Sequence, residues 1–474
     1  MPFQFLRTER RAWVALVLLF LVSLPAVTPR IYASDEIEYF AYLRSLWFDH
    51  DVSFDNEYRY FYDHGLARSP GFHETFLEQV TATGLRKNYG TLGSALLWAP
   101  FYAGGDAAAR LARAAGRPVP VDGFSFPYVA AVCYGSAVYG FAAVVFALMA
   151  AERAVGGRAG SWLEHPGAAA AVWLGTPLLF YMYLAPAFSH ATSAFAVAAF
   201  TLAWLVVRRR WSARGLALLG ALGALMTMVR EQDAFFMAGP AVDFAWAVIA
   251  DAGGTLRPAR ARLLAHLALG CLVWAVTFTP QALAYLALNG RIAPSPDVSR
   301  KMTWWSPHVL QVLLAPEHGF FLWTPLAVLA LAGLALLLRR PGPPRRVAVG
   351  LAAMFVSQVY IAGCIGSWTV EGAFGHRRFV GVTVLLVIGL AALARHACSR
   401  WARRGLGLGL ALCVWWNVAL MVQFGSGLMD RHRLELGRNA YEAFVGVPAH
   451  LPGLAWRYLF DRASYYRPSP GGRP

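Results

Sequence analysis

Residues 166–207 contain no Asp, Glu, Lys or Arg. A helix that crosses the hydrocarbon core of a bilayer needs about 20 apolar residues. The stretch is long enough to cross twice, with a tight hairpin at residues 186–190 between the crossings. Soluble domains carry charge on about a quarter of their residues. Here 14% are charged, 58% are hydrophobic and the mean hydropathy is +0.46, which excludes an ordinary soluble enzyme.

The same ruler finds eleven runs along the chain: 12–28, 128–151, 167–184, 189–207, 215–229, 234–250, 263–288, 319–338, 347–365, 379–394 and 405–424. The first lies behind Arg7, Arg10 and Arg11 and reads as an uncleaved anchor, because no clean small-x-small cleavage site follows it. Arginine positions test the count. Arg208, Arg209, Arg210 and Arg214 form one cluster, and Arg257, Arg260 and Arg262 a second. Arg339, Arg340, Arg345 and Arg346 form a third, and Arg395, Arg400, Arg403 and Arg404 a fourth. All fall in alternate loops, as the positive-inside rule requires of the cytoplasmic side. The N-terminus is then cytoplasmic, and the loops around Asp35, Pro186, Arg230, Lys301 and Arg377 are exoplasmic. The net charge of +16 is accounted for by this orientation signal, which argues against nucleic acid as a partner.

The expected fold is all-α: a polytopic bundle of about 11 spans, with residues 1–424 as one transmembrane domain. A long first exoplasmic loop, 30–126, is expected to form short amphipathic helices that roof a cavity between early and later spans. Within it, residues 93–105 are apolar but too short to cross, so 89–111 reads as an interfacial or half-inserted helix. Residues 425–474 form a short exoplasmic tail whose Pro/Gly-rich end, 467–474, should be disordered. The five cysteines, Cys133, Cys271, Cys364, Cys398 and Cys413, show neither a paired framework nor metal-ligand spacing.

The outer-face ionisable residues stand out as a set. Ser34-Asp35-Glu36 opens a helical pattern in which Asp35, Tyr39 and Tyr42 share one face. Read locally, Ser34 caps that helix while Asp35 and Glu36 complement its dipole. Further along lie His190, Arg230, Glu231 and Asp233, then Lys301, Glu317 and His318, then Glu371, His376, Arg377 and Arg378. A charge near the hydrocarbon costs about 2–3 kcal/mol unless it pairs or snorkels, so their convergence on one face implies a polar cavity. Arginines in such a group suit an anionic head group. Asp49, Asp51, Asp55, Glu57 and His64 lack a recognisable metal spacing and read as a solvated acidic loop.

Five stretches in this order resemble the C-type (GT-C) membrane glycosyltransferases, in particular bacterial relatives of protein O-mannosyltransferases and aminoarabinose transferases. They are Ser34-Asp35-Glu36-Ile37-Glu38-Tyr39; Tyr89-Gly90-Thr91-Leu92-Gly93 with its continuation to Phe101; Val229-Arg230-Glu231-Gln232-Asp233; Ala315-Pro316-Glu317-His318-Gly319 with its continuation to Pro325; and Glu371-Gly372-Ala373-Phe374-Gly375-His376-Arg377-Arg378-Phe379. The resemblance implies an enzyme of the bacterial inner membrane. It would move a sugar, with inversion, from a polyprenyl-phosphate donor to a lipid-linked, glycan or protein hydroxyl on the exoplasmic face.

In that scheme Asp35 is the base and Glu36 supports it or helps hold a divalent cation, Mg or Mn. Arg230, Lys301, His318, Arg377 and Arg378 hold the departing phosphate. Tyr39, Tyr89, His190, Asp233, Glu317, Glu371 and His376 line the substrate cavity. The short tail favours a small or lipid-linked acceptor. The alternative is a transporter or flippase of a lipid-linked sugar, which would place its charges at midplane on broken helices.

Overall fold

The computed structural model describes residues 10–67, 69–156, 162–250, 257–462 and 464; Arg7 and the tail end 467–474 lie outside the described residues. The chain is all-helical, and among the described residues β-pairing is limited to two isolated bridges, Val80 with Arg86 and Met302 with Ile365. The helices are α1 (Arg10–Ser23), α2 (Ser34–Arg44), α3 (Asp55–Asp63), α4 (Gly93–Ala114), α5 (Phe126–Val155), α6 (Pro166–Leu174) and α7 (Leu178–Tyr183). Next come α8 (His190–Val207), α9 (Ala213–Val229), α10 (Ala238–Ala250), α11 (Arg257–Asn289), α12 (Pro296–Arg300), α13 (Val309–Leu314) and α14 (Phe320–Trp323). The last are α15 (Leu326–Leu338), α16 (Pro343–Cys364), α17 (Thr383–His396), α18 (Arg400–Ser426), α19 (Leu436–Tyr441) and α20 (Val447–Phe460).

Among the described residues six helical segments are long and apolar enough to cross a membrane: Phe126–Val155, His190–Val207, Arg260–Asn289, Pro343–Cys364, Arg377–His396 and Arg400–Ser426. Trp13–Ala26, Ala213–Val229 and Leu326–Leu338 are shorter apolar helices. The run at 167–184 is broken. Pro177 has no N–H to continue α6, so a new helix, α7, begins behind it. The carbonyls freed at the break are recovered from α18, where Asn417 Nδ2 donates to Leu174 O at 2.9 Å and to Thr176 O at 3.0 Å. Such rescue is what allows a broken helix inside an apolar bundle.

Helix α8 is buried on nearly every side, packed between α5, α9 and the 3-10 turn that opens α17. Close crossings use glycine: a Cβ on Gly333 of α15 would collide with the Gly389 carbonyl of α17, so these helices touch backbone to backbone. The stretch 89–111 enters a single helix at Gly93, the 22-residue α4, which runs on to Ala114 and packs on α5, α9 and α2. Its start is locked to the end of α9. Thr91 Oγ1 donates to Val229 O at 2.8 Å, and any side chain at Gly93 would strike the Met228–Val229 backbone.

The bundle gathers basic residues at one end. Arg208, at the foot of α8, and Arg346 of α16 both bond Asp243 of α10, and Arg395 of α17 donates to Gly156 O below α5. Arg340 and His396 meet there at 3.4 Å. The tail is not a mere trailing end. Tyr458 OH of α20 donates to Ala26 O at 2.6 Å, and Arg462 donates to Val27 O at 2.9 Å and Pro25 O at 2.8 Å, docking α20 on the exit from α1.

Candidate functional site

The site lies at the opposite end of α8, where α2 leaves the α1 exit and the 3-10 turn Arg377–Val382 enters α17. Ala33, not Ser34, occupies the cap position of α2, and Ser34 N donates to Ser69 Oγ at 3.1 Å. Glu36 does the capping. Its Oε2 accepts from Tyr32 N and from Ala33 N, each at 3.1 Å, and the side chain is fully buried. Burial pushes its pKa up to about 8, against the pull of those two N–H groups. Glu36 therefore holds the helix start and faces away from the cavity; the supporting role expected for it beside Asp35 is not what its position provides.

Asp35, one residue earlier, points the other way. Its Oδ2 takes Arg377 Nη1 at 2.6 Å, with 41% of the Asp35 side chain and 24% of the Arg377 side chain exposed. Both line a cavity of about 910 Å³. Arg30, Glu371, Arg431 and His432 also border it, while Leu179, Phe180, Leu184, Met421, Leu451 and Leu454 supply an apolar wall from α7, α18 and α20. The guanidinium of Arg377 also lies 5.6 Å from the Phe188 ring.

Behind the pair stands a second rank of cations. Arg230, at the end of α9, donates to His190 Nδ1 at the start of α8 and to Gln232 Oε1 at 3.3 Å. Gln232 Nε2 donates to Arg378 O at 2.9 Å, tying the α9 exit to the α17 entry. Arg378 is buried and occupied: it donates to Ser367 O at 2.8 Å and Ser367 Oγ at 2.9 Å. It thus positions the loop rather than facing the cavity. Asp233 sits deeper, accepting from Ser193 Oγ at 2.6 Å, and burial raises its pKa to about 6.

The remaining expected residues separate. His318 is buried, stacks on Trp323 with ring centres 5.0 Å apart and bonds Ala373 O through Nε2 at 2.9 Å. Burial lowers its pKa to about 4, so it is a neutral core imidazole and does not supply a positive charge for phosphate. His376 is likewise buried, edge-on to Phe379, with its pKa held down first by burial and then by Arg378. Glu317 is half-buried next to His318. Lys301 and Tyr89 line a separate cavity rather than this one.

Glu38, Arg30, Arg431 and His432 are the residues that reading the sequence missed as site members. Glu38 is buried three residues after Asp35, accepts Tyr89 N at 3.4 Å, and has its pKa raised by burial and then by Asp35. Its signal was the i, i+3 spacing from Asp35. Arg431 lies in the tail, its guanidinium 4.9 Å from the Phe424 ring, and had no signal at all.

Among the described residues no three His, Cys, Asp or Glu side chains converge. Asp35 Oδ2 is bonded to the Arg377 guanidinium, and Glu36 Oε2 is committed to backbone N–H groups. Asp35 Oδ1 is the carboxylate oxygen left open there. No protein-family model and no curated protein matches the chain.

Proposed function

We propose that this chain is an inverting glycosyltransferase that moves a sugar from a polyprenyl-phosphate-sugar donor to a hydroxyl acceptor on the exoplasmic face of the membrane. The observation that carries the reading is the Asp35–Arg377 pair on the rim of an apolar-walled cavity of about 910 Å³. An isoprenoid chain needs apolar wall, its phosphate needs cations, and an attacking hydroxyl needs a carboxylate oxygen. All three meet at one place.

The chemistry follows from these groups. The acceptor oxygen attacks the anomeric carbon and its proton passes to Asp35. The bond from that carbon to the phosphate oxygen breaks, and the electron pair leaves with the phosphate. A lipid phosphate is a weak base, so no general acid is required. Arg377, with Arg230 behind it, stabilises the charge that develops on the leaving oxygen. Without donor, Arg377 is held by Asp35. A phosphate competes for the same five-donor guanidinium and loosens the carboxylate for the acceptor. Asp35 lines the cavity and its Oδ1 makes no hydrogen bond among the described residues, so a second carboxylate oxygen is unengaged.

The eleven-span topology, with the N-terminus cytoplasmic and the loop 30–126 outside, belongs to this proposal. It is supported by the clustering of Arg208, Arg346, Arg340 and Arg395 at the bundle end remote from Asp35. Mass spectrometry of lipid-linked sugars and surface glycans in a strain lacking the protein tests the reading. Accumulated donor together with one missing surface sugar is expected. A carrier trapped on the inner leaflet would instead mark a transporter.

A further inference from the structure

A second cavity, of about 440 Å³, opens beside α2 and shares no lining residue with the first. It has none of the first one's aliphatic wall. Lys87, Tyr89, Asp297, Arg300 and Lys301 line it, with Gln79 and Thr75 at its edge. These residues come from three separate parts of the chain, so the cavity is made by the fold and not by one loop.

Its charge is unbalanced. Asp297 takes Lys87 Nζ at 2.6 Å, Arg300 Nη2 at 3.2 Å and Tyr89 OH at 3.2 Å, which engages both of its oxygens. Lys301 joins no ion pair among the described residues; its ammonium lies 5.8 Å from the Tyr89 ring centre. Three cations therefore face one carboxylate.

The cavity is also wired to the reaction centre. Tyr89 N donates to Glu38, and Glu38 follows Asp35 by three residues on α2. Asp35, Lys301 and Arg377 all act electrostatically on Glu38. On the other side Gly366 N donates to Lys301 O at 2.6 Å, and the next residue, Ser367, is the one that holds Arg378. One backbone segment thus joins the floor of this cavity to the arginine turn of the first.

We propose that this second cavity seats the acceptor, and that the acceptor is a water-soluble glycan or sugar carrying an anionic group, a phosphate or a carboxylate. The assignment rests on the glycosyl-transfer reading. A polar, cationic cleft with an aromatic ring suits a charged sugar and offers nothing to an isoprenoid chain. Tyr89, on its wall, bonds Glu38 one helical turn beyond Asp35 on α2, so an acceptor reaching from here along α2 would meet the donor at Asp35. Lys301, expected to serve the donor phosphate, here serves the acceptor.

The test uses the full-length chain in phosphatidylcholine nanodiscs, titrated with glucose 6-phosphate and with glucose, while retention of decaprenyl phosphate reports on the first cavity. Glucose 6-phosphate is expected to bind about tenfold more tightly than glucose, a difference of one ion contact. Lys301→Gln and Arg300→Gln should each weaken it by about the same factor and leave decaprenyl phosphate retention unchanged. Equal binding of the two sugars, or glucose 6-phosphate binding unaltered in both variants, overturns the acceptor assignment alone. Displacement of glucose 6-phosphate by phosphatidylglycerol in the disc, lost again in Lys301→Gln, would mark a lipid head-group site and also overturn it. Failure of the wild-type chain to retain decaprenyl phosphate would sink the donor reading, and the acceptor assignment with it.

Discussion

Helix α8 has 18 residues, about 27 Å of helix, and an arginine–carboxylate cluster stands at each of its ends. At the foot, Asp243 is fully buried and fully used: Arg208 donates through Nε at 2.7 Å and Nη2 at 3.0 Å, Arg346 at 2.9 Å and Trp204 Nε1 at 3.1 Å. At the head, Asp35 makes one bond, to Arg377, and stays 41% exposed beside a cavity. The two clusters use the same chemistry and differ in completion. A carboxylate whose acceptors are all taken inside protein fastens helices together. A carboxylate with an open oxygen, facing a cavity and backed by further cations, has capacity left for a ligand.

The largest expected effect breaks the closed cluster. Asp243→Ala leaves two arginines without their partner, and removing one member of a buried pair costs about 3–5 kcal/mol. Thermal unfolding of the solubilised protein should drop accordingly, whereas Asp35→Asn should unfold close to the wild type. Equal losses would mean that both clusters are structural.

Arg377→Gln sharpens the other side. Loss of one donor to a developing oxyanion costs about 10²–10³ in rate. Donor clearance by the complemented deletion strain should slow by that order while the protein accumulates normally in the membrane.

A third test uses pH. Glu36 has its pKa raised from 4.5 to about 8 in the folded chain, so between those values the folded state holds a proton that the unfolded state has lost. Stability should therefore fall as pH rises through that window, by up to about 1.4 kcal/mol per unit from this group. Glu36→Gln should flatten the slope without abolishing transfer. An unchanged slope would place the titration elsewhere.

The smallest effect concerns the tail. Tyr458→Phe removes one hydrogen bond from α20 to the α1 exit, worth about 1 kcal/mol. It should loosen the cavity wall, read as faster proteolysis after α18, with the rest of the bundle unaffected.

Long apolar helices were readable because hydropathy reports burial in lipid and burial in protein alike. For the same reason, Asp243 was hidden: one carboxylate in the run 234–250 is diluted by its neighbours, and only the packing shows its three partners. Asp35 and Glu36 could not be separated by sequence, yet adjacent helical residues point about 100° apart, which sends one to the cavity and the other to the backbone. His318 looked like a cation beside arginines, and His376 like a cavity residue; burial makes His318 neutral and takes His376 into the core. The cavity wall from α20 was masked by Pro448, Pro452 and Gly453, residues that argue against a helix until Tyr458 and Arg462 dock it.

The most direct measurement is donor clearance by Asp35→Asn. The variant, expressed in the deletion strain at wild-type level, should leave the lipid-linked sugar accumulated, with clearance slowed about 10²–10⁴-fold and decaprenyl phosphate still retained by the purified protein. Clearance at the wild-type rate would contradict the assignment of Asp35 as the base.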